Sequence, residues 1–439
     1  MSADYTPAEI VAQLDKYIVG QTEAKKSIAI SIRNRWRRLQ IDKDLQKDIV
    51  PKNIIMIGPT GVGKTEIARR MAQLIKAPFI KVEATKYTEV GYHGRDVESM
   101  IRDLVKVSVD QVQKEYAEKH QEKSRVVAED KILDILIPPT NDDPELEADL
   151  RDKFRKKLKN GELNDKEIEI QVEAPMAQPM FAAVNSMEDM GIDFQDILSK
   201  FSPGSNSQTK RVPVKEAIEI LAKDATKQFI DDDAVTKEAI YRVENTGIIF
   251  IDEIDKVAGR NDSSNPDVSR GGVQRDLLPI VEGSSVTTRQ GIVNTDHILF
   301  IAAGAFHSNK PSDLMPELQG RFPIRVELDS LSEEDYKKIL EVPKNSLIKQ
   351  YIAMLATEGI ELSFDDEGIA EIASSTCKLN EQMQNIGARR LHTVLEKILH
   401  DISFSAPERK GESVLIDKET VINNLKDVVD NEDLSKYIL

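Results

Sequence analysis

Four short apolar runs mark the chain: NIIMI (53–57), FIKV (79–82), GIIFI (247–251) and HILFIAA (297–303). None keeps a regular apolar–polar alternation, so none has a face meant for water. Each sits beside a stretch with helical spacing, and that combination predicts a parallel sheet covered on both faces. Ahead of the first run, Thr6 and Glu9 spell a capping box around Pro7, and Gly20 in YIVGQ is expected to stop the helix it opens. A longer helix is predicted through residues 23–40.

The pattern changes between the second and third runs. From Arg95 the chain reads as one long helix, with Val97, Met100, Ile101, Leu104 and Val112 on one stripe. It continues into QKEYAEKHQEKSRVV, which is too polar to be packed inside a compact α/β domain. PPTNDDPE (138–145) and a lysine-rich helical piece follow. The stretch 174–210 then holds four of the chain's 11 methionines, and with its prolines and polar residues it is expected to be poorly ordered or loosely packed. Residues 109–235 therefore read as a helical, partly disordered insertion between two parts of one α/β domain, 1–108 and 236–327. From Leu328 the chain turns helical, apart from the β-like run SVLIDKE (413–419), giving a mainly helical C-terminal domain over 328–439.

Composition narrows the class. A chain of 439 residues is long enough for two or three cores, and 40% apolar residues supply them. The formal charge of −16 argues against a protein that coats nucleic acid or anionic lipid. RNRWRR (33–38) is a local basic patch, read here as a solvated helix face with Trp36 turned inward. Cys377 is the one cysteine, which excludes an intrachain disulfide and a cysteine-based zinc site. The N-terminus carries no signal-peptide pattern, and the longest apolar stretch, ILFIAAGAF (298–306), falls far short of the roughly 20 residues that span a bilayer. The expectation is a cytoplasmic protein with no membrane or nucleic-acid partner.

The chemistry begins at GPTGVGKT (58–65), which follows a strand and opens a helix. Its glycines let backbone N–H groups curl around phosphate oxygens, with the helix N-terminus adding partial positive charge. Lys64 is expected to reach the terminal phosphates and Thr65 to bind Mg²⁺. GIIFIDEID (247–255) supplies the complement: a buried strand ending in Asp252, placed to hold the magnesium shell, and Glu253, placed to deprotonate the attacking water. Together they indicate an ATP hydrolase. Arg321, in PELQGRFP just past the expected last strand, reads equally as a surface ion pair or as a finger reaching a neighbour's site. Arg389, in the first helical turn of NIGARRLHTVLE (385–396), is open in the same way. TEVGYHGRDVE (88–98) flanks Tyr92 and His93 with Gly91 and Gly94, either a tight turn or an aromatic on a swivel.

The order YIVGQ, GPTGVGKT, GYHG, FIDEIDK, ELQGRFP, GARRL, with a helical insertion and the ending NEDLSKYIL, resembles the HslU (ClpY) family, the AAA+ unfoldase subunits of the two-component HslVU protease. The resemblance covers essentially the whole chain and is loosest across 125–210. It implies an AAA+ P-loop NTPase core with a parallel sheet, an inserted helical I domain and a mainly helical C-terminal domain. It further implies a homohexamer that binds ATP and Mg²⁺ between subunits, threads unfolded or tagged proteins through a central pore into the HslV peptidase, and activates that peptidase. On matching positions, Val19 would line the adenine pocket, and Gly61, Val62, Gly63, Lys64, Thr65 and Glu66 would hold phosphate and magnesium. Glu317 and Arg321 would reach the neighbouring subunit's site, and Arg389 would join nucleotide to the C-terminal domain. Gly91, Tyr92, His93 and Gly94 would form the substrate-gripping pore loop, and Tyr437, Ile438 and Leu439 the docking tail.

Two departures stand out. His93 replaces the valine usual after the pore tyrosine, which would put six imidazoles around one axis. FIAAGAF offers only Ala and Gly where many AAA+ proteins keep a polar sensor, so no sensor residue is assigned in that strand. Among rivals, a ClpX-like unfoldase would carry a four-cysteine zinc domain and an IGF docking tripeptide, both missing here. A AAA+ DNA motor or transcription activator would need a DNA-binding module or a basic ring lumen; the charge of −16 and the lack of a helix-turn-helix pattern weigh against it. A stand-alone chaperone is opposed by the tail.

Overall fold

The computed structural model describes residues 5–87, 95–137, 144–173, 207–258 and 268–429. They divide into two units, Met1–Asp110 with Thr236–Leu439, and Gln111–Val235.

The first unit is built on five parallel strands: β1 (Ile54–Ile57), β2 (Phe79–Glu83), β3 (Ile248–Asp252), β4 (Leu299–Gly304) and β5 (Ile324–Glu327). Their spatial order is β2-β3-β4-β1-β5. Successive residues in β1, β3 and β4 point to opposite faces, and both faces are buried. Ile54, Met56, Phe250 and Ile301 join one apolar layer with Ile28, Ile67 and Met71 from the helices Thr22–Arg38 and Lys64–Leu74. Ile55, Ile249, Ile251 and Phe300 join the other with Met100, Ile101 and Leu104. That double covering is why these runs lack alternation. At about 1.5–3 kcal/mol per fully buried Ile or Phe, the layers fix the strand ends from which the candidate site projects.

Several local readings need correction. Arg321 does not lie past the last strand: it ends the helix Pro316–Arg321, and β5 follows it at the sheet edge. The first helix keeps its capping box, with Thr6 and Glu9 bonded reciprocally, but it stops at Asp15, well before Gly20. Gly20 (φ +64°) and Gln21 (φ +55°) instead form a left-handed turn into the next helix. The basic patch is not a solvated face either. Arg35 and Arg38 are buried while Trp36 is half-buried, with the Arg33 guanidinium stacked 3.7 Å from its ring centroid. Arg35 donates to the carbonyls of Asn245 (3.0 Å), Thr246 (3.0 Å) and His297 (2.8 Å). The first two end the helix Asp232–Thr246, where a cation opposes the negative end of the helix dipole. Burial lowers the pKa of Arg35, and neighbouring Arg38 adds to the effect.

The C-terminal part has its own core around Tyr336, Leu340, Ile372, Leu391, Leu395 and Val421. Its β-like run pairs in parallel with a strand the sequence pattern did not reveal, Glu361–Phe364 with Ser413–Ile416. A further unread hairpin joins Ser285–Thr288 to Gly291–Asn294. The second unit contains an antiparallel pair, Glu167–Glu173 with Ser207–Pro213, over a core of Ala128, Ile132, Leu158, Ile168, Val212 and Leu221. The stretch expected to be loosely packed thus ends in a strand, and its residues 174–206 lie outside the described ones. Among the described residues, no helix is long and apolar enough to cross a membrane.

Candidate active site

The strands β1, β3 and β4 end on one side of the sheet, and a cavity of about 840 Å³ opens there. Ligands of open parallel sheets bind beyond the carboxyl ends of the strands for this reason.

From β1 the chain enters the loop 58–63 and then the helix Lys64–Leu74, whose first N–H groups have no partner within the helix. Lys64 is buried, and its ammonium donates to the carbonyls of Gly58 (2.5 Å) and Pro59 (2.7 Å). Burial lowers its pKa, the carboxylates of Asp252 and Asp255 oppose that, and Arg389 lowers it further. These four groups therefore share one electrostatic neighbourhood. Val62 turns its side chain into the core, so it can offer a ligand only its backbone. Glu66 spends its carboxylate on Arg70 (2.6 Å) and Arg69 (3.4 Å), leaving its N–H at the helix start for an anion.

Asp252 ends β3, with one oxygen 2.7 Å from the Lys81 ammonium and the other accepting the Glu253 N–H at 3.0 Å. Glu253 is exposed and left-handed (φ +56°). That conformation costs roughly 1–3 kcal/mol for a residue other than glycine and is typical of functional sites. It turns the chain sharply so that two successive carboxylates both face the cavity. Thr65 and Asp252 offer a hydroxyl and a carboxylate, hard oxygen donors of the kind Mg²⁺ takes alongside substrate phosphates.

The segment Tyr17–Val19 forms another wall. Lys25, only 2% exposed, fixes it by donating to Ile18 O (2.6 Å) and Asp15 (2.7 Å). The Gln21 amide exchanges two bonds with the Asp329 backbone, and Lys344 N–H reaches Lys16 O at 3.1 Å. Val19 is thereby stitched to the start of the C-terminal domain. That domain meets the phosphate loop backbone to backbone: Ala388 N–H donates to Gly61 O at 3.0 Å. A Cβ on Gly61 would lie 2.0 Å from Ile386 O, and one on Gly387 would lie 2.6 Å from Thr60 O. Both glycines have positive φ, +75° and +59°. Buried Asn380 holds the turn by donating to Gly387 O and accepting from Ile386 N–H. Arg389, the first residue of the next helix, is exposed into the cavity.

Val19, Gly61–Glu66, Asp252, Glu253 and Arg389 thus line one cavity, and Glu317 and Arg321 do not. Arg321 pairs with Glu282 at 2.8 Å and keeps half its side chain exposed. Its helix is set by two buried amides. Asn53 donates to Arg321 O, and Gln274 bridges Val257 O to Met315 N–H. The residues expected to form the pore loop, Gly91, Tyr92, His93 and Gly94, and those expected to form the docking tail, Tyr437, Ile438 and Leu439, lie outside the described residues. The flanks of that loop are fixed, Tyr87 bridging to Arg95 and Arg95 pairing with Asp103 at 2.7 Å. Sequence reasoning missed Asn380, Gln274, Lys25 and Gly387. Gln274 and Gly387 act on segments distant in sequence, and Lys25 and Asn380 act largely on nearby backbone groups, which no side-chain motif announces.

Residues 54–161 match the model of the ATPase family associated with various cellular activities (AAA), and residues 165–325 match the AAA domain of the Cdc48 subfamily. The chain is 54% identical to the ATP-dependent protease ATPase subunit HslU of Persephonella marina, with 99% of each chain covered. It is 52% identical to the HslU of Caldicellulosiruptor saccharolyticus (99% and 100% covered) and 51% to that of Desulfotalea psychrophila (100% of both).

Proposed function

This chain belongs to the HslU family of ATP-dependent protease ATPase subunits, and we propose that it works as a hexameric unfolding motor that feeds protein substrates to an HslV peptidase. The observation that carries the reading is the single cavity shared by the phosphate loop, the Asp252–Glu253 turn, Val19 and Arg389. A nucleotide held there touches both the sheet and the C-terminal domain, so its hydrolysis changes what joins them.

In the proposed cycle, the adenine lies by Val19, and the phosphates take the N–H groups of residues 61–66 and the Lys64 ammonium. Thr65 and Asp252 would hold Mg²⁺, which when bound neutralises phosphate charge. Glu253 accepts the proton of the attacking water. Arg389 follows the nucleotide from the C-terminal side. Glu317 and Arg321, outside their own cavity on an exposed helix, serve the neighbouring subunit. Residues 109–235 form the I domain, Tyr92 grips the substrate, and the tail from Tyr437 to Leu439 docks on the peptidase.

The test is degradation of a folded, tagged protein by this chain with HslV and ATP in a cytoplasm-like buffer. Tyr92→Ala is expected to keep ATPase activity and lose degradation, while Tyr92→Phe stays near wild type. Equal degradation by the alanine variant would remove the pore-loop role. A second expectation concerns Arg321. Arg321→Ala rings and Lys64→Ala rings should each be nearly inactive, and rings mixed from both should recover part of the turnover, because one subunit's arginine then completes another's intact site. Verified mixed rings with no recovery would assign Arg321 to its Glu282 ion pair alone.

A further inference from the structure

β4 ends in Gly304, and the structure explains why no side chain stands there. A Cβ there would lie 2.8 Å from Asp255 Oδ1 and 2.7 Å from the Phe306 ring. Asp255 occupies the space, 9% exposed and two residues beyond Glu253. Its Oδ2 accepts the Phe306 N–H at 3.2 Å. Phe306 is left-handed (φ +51°), like Glu253 (φ +56°), a conformation unfavourable for any residue with a Cβ unless its surroundings impose it. From the other side, the Asn309 amide donates to Asp255 O (3.0 Å) and Ala258 O (2.8 Å). Two strained turns at the ends of adjacent strands are thus clamped together, and His307 and Ser308 between the clamps face the nucleotide cavity.

We propose that Asp255 is a positioning residue for hydrolysis, locking the polar loop His307–Asn309 in register with Glu253. The inference rests on the proposed role of Glu253. With Asp255 holding the Phe306 N–H, the loop His307–Asn309 at the cavity and the group that activates water move as one body. Without it, Phe306 relaxes toward extended backbone and the loop withdraws while the phosphate loop stays intact.

Steady-state ATPase kinetics and binding of a fluorescent ATP analogue, on assembled full-length protein, test this. Asp255→Ala is expected to lower kcat by about 10–100-fold with analogue affinity changed less than about threefold, the signature of lost positioning. Asp255→Asn should restore most of kcat, because its amide oxygen can still accept the Phe306 N–H. Unchanged kcat in the alanine variant, equal loss of kcat and affinity, or an asparagine variant as slow as alanine would each overturn the proposal. Should Asp255→Ala not yield folded protein, Asn309→Ala removes the opposing clamp and is expected to show the same kcat-selective loss; normal kcat there would also overturn it. Glu253→Gln in the same assay separates the two ideas, since normal turnover in that variant would defeat the base assignment whatever Asp255 does.

Discussion

Glu253→Gln is expected to slow ATP hydrolysis by about 10²–10⁴-fold, the usual span of a lost general base, while ATP still binds. The amide matches the carboxylate in size and can keep the left-handed turn at φ +56°, but it cannot take a proton. Lys64→Ala should fail differently. In the proposed site the buried ammonium is the main countercharge for the phosphates, and without it the carbonyls of Gly58 and Pro59 that it holds would be left facing an anion. Nucleotide affinity should then fall along with turnover. Rapid-quench hydrolysis and equilibrium binding on the same preparations separate the two effects. A Glu253→Gln protein that turns over at the normal rate would move the base elsewhere, and a Lys64→Ala protein with normal affinity would remove Lys64 from phosphate binding.

Gly387→Ala should be nearly as damaging, although residue 387 touches no catalytic side chain. Its φ of +59° costs an alanine about 1–2 kcal/mol on its own. The added methyl would also meet Thr60 O at 2.6 Å, Gly61 C at 2.7 Å and Gly61 O at 2.8 Å, all backbone. No rotamer change relieves such a contact. Either the phosphate loop deforms or the turn lifts away and takes Arg389 with it, so nucleotide affinity should fall by about tenfold or more, equivalent to at least about 1.4 kcal/mol. Calorimetric binding measures this directly. Wild-type affinity with an unchanged melting temperature would mean that the turn and the loop do not depend on each other.

How far the chain could be read depended on how local each cause is. Strands β1, β3 and β4 were legible because burial on both faces writes an uninterrupted apolar run, whereas β2, at the other sheet edge, keeps Lys81 exposed within FIKV. Strand β5 was not: IRVE alternates, with Arg325 and Glu327 exposed, as a short edge strand does. The phosphate loop and the Asp252–Glu253 pair are local motifs, so their chemistry could be named from spacing. Arg35 misled because an arginine's burial depends on carbonyls at Asn245, Thr246 and His297, and nothing near residue 35 announces them. Gly387 had the same handicap, since its reason for being glycine is the backbone at residues 60 and 61.

The strand order has a consequence for how the protein is made. β1, which carries the phosphate loop, pairs only with β4 and β5, Ile54 lying opposite Ile301 and Ile324. On the ribosome, at about 5–20 residues per second, both partners arrive roughly 10–60 s after β1 has been synthesised. Until then IIMI is apolar on both faces and unpaired along both edges, and the long insertion lies within that interval. Nascent chains in this window are the form most open to self-association and to capture by holding chaperones. Slower translation prolongs that exposure, whereas a shorter insertion would reduce it.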